Sequence, residues 1–149
     1  MVENLELKLK KFLKEFSKRT NIFCILLVSQ EGLLITYENN SFNNNEELYE
    51  SIAAISAGIL SLSEEGVKLY SENCLVTEVA ILAGNQIDTD GFEIILKMIN
   101  NDALLAIIFP NDSNLGLIYF ETKELIKKLN KILNTFESFN TNLPAYIIQ

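Results

Sequence analysis

The sequence carries few side chains that could form a catalytic centre. Its 149 residues include no histidine, which removes the commonest general base and the usual partner of a serine or cysteine nucleophile. Two close carboxylate pairs remain, Glu64 with Glu65 and Asp88 with Asp90. Both pairs fall where a loop or a helix end is predicted, so we interpret them as solvated groups. An enzyme that acts alone is the least favoured class of function.

The cysteines and the known sequence motifs give no sign of a metal or cofactor site. Cys24 and Cys74 lie in separate apolar runs, and we expect both thiols to be buried, because an unpaired cysteine packs as a small hydrophobic residue. The chain contains no P-loop, dinucleotide-binding or zinc-protease motif. We therefore predict no metal and no cofactor.

The net charge of −8 is unevenly distributed along the chain. Residues 1–30 carry +3, residues 31–102 carry −11, and residues 103–149 are balanced. The acidic middle argues against nucleic acid as a partner and disfavours a flat anionic membrane, since both attract lysine and arginine. The basic first segment has two interpretations: a solvated helix face, or a surface attracted to the acidic part of a neighbour or to anionic lipid.

Length and hydropathy predict one domain at residues 1–137, followed by a tail at residues 138–149. Pro144 prevents a simple helical continuation, and the apolar tail either lies on its own core or faces a partner. The amino-terminal segment lacks the uninterrupted apolar core of a signal peptide, and no apolar run is long enough to span a membrane. We expect a cytoplasmic protein without an integral membrane segment.

Hydrophobic periodicity predicts three helices and five strands. The helices are α1, α2 and α3 at residues 4–20, 46–70 and 115–136; the strands are β1 to β5 at residues 23–29, 33–38, 74–84, 92–99 and 103–109. Strands β1 and β5 are apolar on both faces and should be central. The order α1-β1-β2-α2-β3-β4-β5-α3 predicts an α/β (α+β) three-layer sandwich, with a five-stranded, mostly antiparallel sheet between helices.

Helix α2 carries two stripes of different size. Large apolar residues are expected to rest on the sheet of the same chain: Leu48, Ile52, Ile55, Ile59 and Leu62. A neighbouring stripe is small: Ser51, Ala54, Gly58 and Ser61. A glycine inside a helix costs about 1 kcal/mol relative to alanine, so a close approach should compensate. A second chain, a crowded contact within the chain, and a small ligand are the alternatives.

Three segments together resemble the roadblock/LC7 family, which includes MglB-like proteins and dynein light chains of the roadblock type. They are the hairpin ILLVSQEGLLITYE, the helix ESIAAISAGILSL, and the late segment LLAIIFPNDSNLGLIYFETKELIKKL. The resemblance covers roughly residues 5–135 and is one of pattern and order. Longin, profilin-like and PAS-type sandwiches share parts of this architecture.

The resemblance implies a dimer, with itself or with a related protomer, in which α2 and β3 meet their counterparts. The implied interface positions are Ser51, Ala54, Ile55, Gly58, Ser61, Leu75, Thr77 and Val79. It also implies a platform for a small Ras-like GTPase, with no active site of its own. The GTPase contacts expected are Arg19, Glu47 and Glu50, although we favour regulation through the GTPase's own switch residues over an arginine inserted by this chain.

Two classes of function therefore remain. The favoured one is a dimeric, non-catalytic platform that regulates a GTPase as a GTPase-activating protein or as a scaffold. The alternative is a PAS-like or longin-like module that binds a small ligand or a trafficking partner. A deep apolar cavity behind the sheet would favour the second class, and a filled core would favour the first.

Overall fold

Helices and strands follow one another in the predicted order in the computed structural model, which describes residues 2–40, 44–84 and 90–140. The helices in this part of the chain are α1 (Val2–Arg19), α2 (Glu46–Tyr70) and α3 (Leu115–Asn140). The strands are β1 (Cys24–Ser29), β2 (Leu34–Asn39), β3 (Glu78–Ala83), β4 (Phe92–Asn100) and β5 (Ala103–Pro110). The predicted fold class is confirmed. Residues 141–149 of the predicted tail lie outside the described residues.

The five strands form one antiparallel sheet in the order β2-β1-β5-β4-β3. Strands β1 and β5 are inner strands, as their two apolar faces predicted, and β5 is the centre of the sheet. Strands β2 and β3 are the two edges. Both edges matter for function, because an unpaired edge strand presents free N–H and C=O groups with which another chain can pair.

The helices cover the two faces of the sheet unequally. Helices α1 and α3 pack on one face, where Leu13, Phe109 and Leu129 are fully buried. Helix α2 packs on the other face, over a cluster that includes Leu26, Leu96 and Ala106. Each buried leucine or isoleucine contributes about 1.5–3 kcal/mol, so the inner strands anchor the fold from both sides.

Asparagine side chains set where two of the helices begin. The Asn45 side chain accepts a hydrogen bond from the Glu47 backbone N–H at 3.1 Å and caps α2. Asn114 accepts from the Leu117 N–H at 3.1 Å at the start of α3. Among the described residues, none of the helices combines the length and apolar character needed to cross a lipid bilayer.

The β1–β2 turn is held close to α2 by a glycine. Gly32 has φ +91°, a left-handed conformation that favours glycine. A Cβ at this position would also lie 3.2 Å from the Ala54 Cα atom. The ring of Tyr37 in β2 stacks on that of Tyr49 in α2, with centroids 4.6 Å apart. The hairpin and the helix therefore form one packed unit.

The two cysteines have different environments. Cys24 is buried in β1, and burial raises the pKa of its thiol to about 12. Cys74 is exposed, so the prediction that both thiols are buried was wrong for this residue. The predicted third strand began at Cys74, but β3 begins only at Glu78, and the segment between α2 and β3 lies at the surface.

Replacing Gly32 should destabilise the fold. We expect Gly32→Ala to lower the free energy of unfolding by about 1–3 kcal/mol, because alanine disfavours this φ and its methyl group would crowd α2. The measurement is urea unfolding followed by circular dichroism. Gly66→Ala is the control: no atom lies within 4 Å of a Cβ there, and alanine in a helix should add about 0.5–1 kcal/mol. Equal stability of Gly32→Ala and the unmutated chain would contradict the proposed strain.

Thiol labelling should distinguish the cysteines. At neutral pH the native chain should react with one equivalent of a thiol reagent at Cys74, and Cys24 should react only in denaturant, because its thiol is buried and protonated. Cys74→Ser should abolish the fast reaction, whereas Cys24→Ser should retain it. A fast reaction in native Cys74→Ser would show that β1 is accessible.

Candidate interaction surface

The face of α2 that packs on the sheet differs from the predicted one. It consists of one aromatic, one aliphatic and two small residues: Tyr49, Ala53, Ser56 and Leu60. Three members of the predicted large stripe are exposed instead: Leu48, Ile55 and Leu62. The prediction was wrong because small residues such as Ala53 and Ser56 let the helix lie close to the sheet, although they give a weak hydrophobic signal.

The exposed part of α2 forms a seam with heptad spacing. We define the α2 seam as Leu48, Ser51, Ile55, Gly58 and Leu62, which recur at intervals of three and four residues and are all exposed. Ile55 is 61% exposed and Leu62 is 71% exposed, although the opposite face of the helix is already buried. Large and small residues alternate along the seam, so the large side chains of a second helix could insert beside the small ones.

The small residues of α2 do not share one environment. Ala54 lies against Gly32 of the same chain, so a crowded intrachain contact explains its size. Gly58 is different, because no atom of the described chain lies within 4 Å of where its Cβ would stand. Ser51 and Ser61 are exposed as well. Packing within the described residues therefore does not explain why a glycine stands at position 58.

The Gly32 contact also orients the helix on the sheet. The β1–β2 turn occupies the flank of α2 that carries Ala54, and β2 is one edge of the sheet. Ile52 and Ile59 lie about half a turn away on the helix and are partly buried against the cluster under α2. On the same face of the sheet, β3 and β4 carry apolar residues that are only partly covered, Val79 and Ile94.

In the part of the chain that the structure describes, no strand pairs with the outer edge of β3. The Met98 N–H donates to the Thr77 carbonyl at 3.0 Å, and the ladder pairs Val79 with Leu96. Because bonded and non-bonded pairs alternate in an antiparallel ladder, the backbone groups of Glu78, Ala80 and Leu82 point to the free edge. Of the predicted β3 interface positions, Val79 lies in the strand and faces the α2 side. Leu75 and Thr77 precede the strand and are exposed.

The β2 edge is protected by a lysine. Lys10 Nζ of α1 donates to the Tyr37 carbonyl oxygen at 3.1 Å and lies 3.9 Å from a Glu38 carboxylate oxygen. The Asn40 N–H donates to Phe23 on the inner side of this hairpin, and the alternation of the ladder then directs the Tyr37 carbonyl outward. Lysine at an edge strand discourages pairing with another chain. The two edges of the sheet are therefore not equivalent.

Polar side chains flank β3 on the α3 side of the sheet. The Tyr119 hydroxyl donates to Glu78 Oε2 at 3.3 Å, and Lys97 Nζ lies 3.7 Å from Glu78 Oε1. Burial, with the Glu78 carboxylate next in importance, raises the pKa of Tyr119. These contacts hold Glu78 beside the free edge and leave its backbone groups unobstructed.

The predicted GTPase contacts lie on opposite faces of the molecule. Glu47 and Glu50 are exposed in the first turns of α2. Arg19, the only arginine of the sequence, ends α1 on the other face of the sheet. Its guanidinium Nη1 lies 3.6 Å from Glu121 Oε2 of α3. The structure thus groups the two glutamates with the α2 seam and separates Arg19 from them.

The cavities differ from those of a ligand-binding sandwich. A cleft of about 150 Å³ lies between the carboxyl-terminal half of α2 and the sheet, lined by residues that include Leu60, Glu64 and Met98. It is smaller than the roughly 300–1,000 Å³ typical of ligand sites. An open groove of about 440 Å³ between α1 and β2 is lined largely by polar and lysine side chains. In the described residues, no three histidine, cysteine, aspartate or glutamate side chains converge as a metal site would require.

Several solved structures share this architecture, although no protein-family model and no curated sequence matches the chain. Myxococcus xanthus MglB superposes with a TM-score of 0.73 at 20% identity, over 87% of this chain and 90% of that one. An MglB with a tetrameric arrangement gives 0.71 at 16% identity, over 86% and 89% of the two chains. A roadblock/LC7 domain from Streptomyces avermitilis gives 0.70 at 15% identity, over 83% and 96%.

These similarities confirm the predicted fold resemblance. The chain has a roadblock/LC7 fold, with the predicted order of three helices and five strands in its described residues. The agreement extends over most of each compared chain, so it concerns the whole domain rather than one motif. At these identities the similarity concerns the fold.

Proposed function

We propose that the protein is a dimeric, non-catalytic platform of the roadblock type that binds and regulates a small Ras-like GTPase. The observation that carries the proposal is the exposed apolar α2 seam, on the face of the sheet that Val79 of β3 also faces. The fold supports it as well, because similar structures include an MglB with a tetrameric arrangement. The PAS-like or longin-like alternative is less favoured, since the cleft under α2 is small.

In the proposed dimer, β3 of each protomer pairs with its counterpart and the two sheets become continuous. The outward backbone groups of Glu78, Ala80 and Leu82 would then exchange hydrogen bonds with the partner. The α2 seams would pack together above the joined sheet, with Ile55 of one protomer beside the small residues of the other. The interface would comprise Ser51, Ala54, Ile55, Gly58 and Ser61 on α2, and Leu75, Thr77 and Val79 around β3.

The GTPase would bind on the α2 side of this dimer. Glu47 and Glu50 lie there, beside the α2 seam, and would contact basic residues of the GTPase. We infer that regulation occurs through preferential binding of one nucleotide state. An arginine supplied to the GTPase active site is the less favoured mechanism, because Arg19 lies on the opposite face and is paired with Glu121. The chain itself performs no catalysis in this proposal.

Enlarging Gly58 should weaken self-association. Gly58→Leu adds a bulky side chain at a position that has free space in the protomer, so the chain should fold while two helices can no longer approach closely. Sedimentation equilibrium should give a dimer for the unmutated chain and a larger dissociation constant, by about tenfold or more, for Gly58→Leu. Gly116→Leu, on α3, is the matched control and should leave the dimer intact.

A second variant tests the strand contact separately. Ala80→Pro removes a backbone N–H that points to the free edge, and spares the donors that bond to β4. It should lower self-association while circular dichroism remains that of the folded chain. A monomer in the unmutated protein, or full dimerisation of both Gly58→Leu and Ala80→Pro, would refute the proposed interface.

Charge reversal on α2 should weaken GTPase binding. Immobilised protein should retain small GTPases from the same organism, with a preference between GDP and a GTP analogue. Glu50→Lys should weaken binding about fivefold because an exposed charged contact contributes about 1 kcal/mol or less. Glu72→Lys, beyond the end of α2, is the control with the same charge change. The proposal would be contradicted if binding were equal for the two nucleotide states and unchanged by Glu50→Lys.

The role of Arg19 can be tested in the same assay. If the complex accelerates GTP hydrolysis, Arg19→Ala should leave the acceleration within about twofold, because the Arg19 side chain lies on the other face of the sheet. An arginine that acted on the transferred phosphoryl group would instead reduce it about a thousandfold or more. A loss of that size would overturn the proposed indirect mechanism.

A further inference from the structure

Most of the positive charge of this acidic protein lies in one layer of the sandwich. Helices α1 and α3 contain ten of the twelve basic residues and six of the twenty carboxylates, a net charge of +4. The remainder of the chain carries two lysines and fourteen carboxylates, a net charge of −12. Both basic helices cover the same face of the sheet. The positive charge is therefore concentrated on the side opposite α2.

Several lysines of this layer lie on the sides of their helices that face away from the sheet, whereas Lys10 contacts β2 and Lys128 lies over the Phe12 ring. In α1, Leu9, Leu13 and Phe16 are buried, and the opposite side of the helix carries Lys11, Lys14 and Lys18. Helix α3 repeats the pattern, with a buried row and an outward row of lysines. We define the basic face by its outward residues: Leu7, Lys11, Lys14, Lys18, Phe120, Lys123 and Lys127.

The carboxylates of the same layer are mostly withdrawn from this face. Glu15, Glu121 and Glu124 are partly buried and line the crease between the two helices, together with Arg19 and Lys128. Glu124 Oε1 also lies 3.5 Å from Lys127 Nζ of the basic face. Glu6 is the exposed carboxylate among the described side chains of α1 and α3. Lys11, Lys14 and Lys18 have no ionic partner among the described residues. Their charge is therefore available to another molecule.

Two bulky apolar residues stand among these lysines. Leu7 is 66% exposed and Phe120 is 59% exposed, and both lie on the outward rows. The helices are antiparallel, because Arg19 pairs with Glu121 while Lys128 Nζ lies over the Phe12 ring. With a rise of 1.5 Å per residue, Leu7 and Phe120 are about 20 Å apart along the helices. The apolar residues thus mark opposite ends of a broad basic surface.

We propose that the basic face binds the surface of an anionic lipid bilayer, with Leu7 and Phe120 inserted at the level of the headgroups. Four to eight basic residues on an amphipathic helical surface are typical of attraction to anionic lipid, at about 1 kcal/mol for each residue near the membrane. Leu7 and Phe120, beside the lysines, can insert into a bilayer. An acidic protein partner would not require such exposed apolar side chains. Lysine suits a diffuse layer of charge, whereas arginine suits defined bidentate partners.

The proposed dimer would strengthen this contact, and this step alone rests on the proposed function. Pairing of β3 with its counterpart joins the two sheets, so the basic faces of both protomers lie on one side of the joined sheet. Binding by one face then raises the effective concentration of the other at the same membrane. The α2 side would face the aqueous phase, where a GTPase can approach.

Vesicle co-sedimentation tests the inference directly. The unmutated chain should bind vesicles of phosphatidylcholine with phosphatidylserine at about 0.1 M salt, should release at about 0.5 M salt, and should not bind phosphatidylcholine alone. Absence of binding to the anionic vesicles at the lower salt would overturn the proposal. Equal binding to both kinds of vesicle would overturn the role of the lysines.

Matched variants locate the contact. Lys14→Glu should weaken binding to the anionic vesicles more than tenfold, since it changes the charge of the face by two units at about fivefold per unit. Lys68→Glu makes the same change on α2 and should leave binding within about twofold. Leu7→Ser should weaken binding severalfold, whereas Leu33→Ser, which removes a leucine that is 68% exposed in the β1–β2 turn, should not. A loss of binding equal in variant and control would refute the assignment to this face.

Other occupants of the basic face give different results. If a second copy of the chain binds there, Lys14→Glu will change the sedimentation of the protein without lipid, which would overturn the proposal. If an acidic protein segment binds there, polyglutamate will bind more tightly than the anionic vesicles. That result would also overturn the proposal. Ile55→Glu separates this inference from the proposed dimer. It should weaken vesicle binding but preserve the preference for phosphatidylserine, even if dimerisation is lost.

Discussion

Helix α2 has more apolar surface than the sheet beneath it can cover. A helix that lies on a sheet buries one side, and in α2 that side is occupied by Tyr49, Ala53 and Leu60. Ile55 and Leu62 remain in water, where exposed apolar area is unfavourable. The small residues of the α2 seam keep this surface smooth enough for a second helix to approach. The proposed association follows from this excess of apolar surface.

The two sheet edges determine where such an association can occur. At the β2 edge, Lys10 Nζ donates to the outward carbonyl of Tyr37. The backbone groups of Ala80 point to the outer edge of β3, with which no strand of the described residues pairs. Val79 of β3 faces the same side of the sheet as α2. Main-chain hydrogen bonds and apolar packing would therefore act at one interface, which neither feature would define alone.

Charge and apolar surface are segregated across the sandwich. The α2 side carries the seam with Glu47 and Glu50, and the α1–α3 side carries Lys14, Lys127 and their neighbours. The acidic middle of the sequence disfavoured a flat anionic membrane as a partner. A membrane, however, meets one face of a protein, and its attraction decays within about a Debye length. The arrangement of charge, rather than its sum, decides this interaction.

The sequence by itself determined the order of elements and the inner position of β1 and β5, because both depend on local periodicity. It did not determine which side of α2 meets the sheet. Hydrophobic periodicity indicates which apolar residues share a side of the helix. The small side chains of Ala53 and Ser56 let the helix lie close to the sheet, so they face it and Ile55 is exposed. The exposure of Cys74 and the pairing of Arg19 with Glu121 were also decided by tertiary structure. Both depend on where distant segments lie in space, which local sequence patterns do not encode.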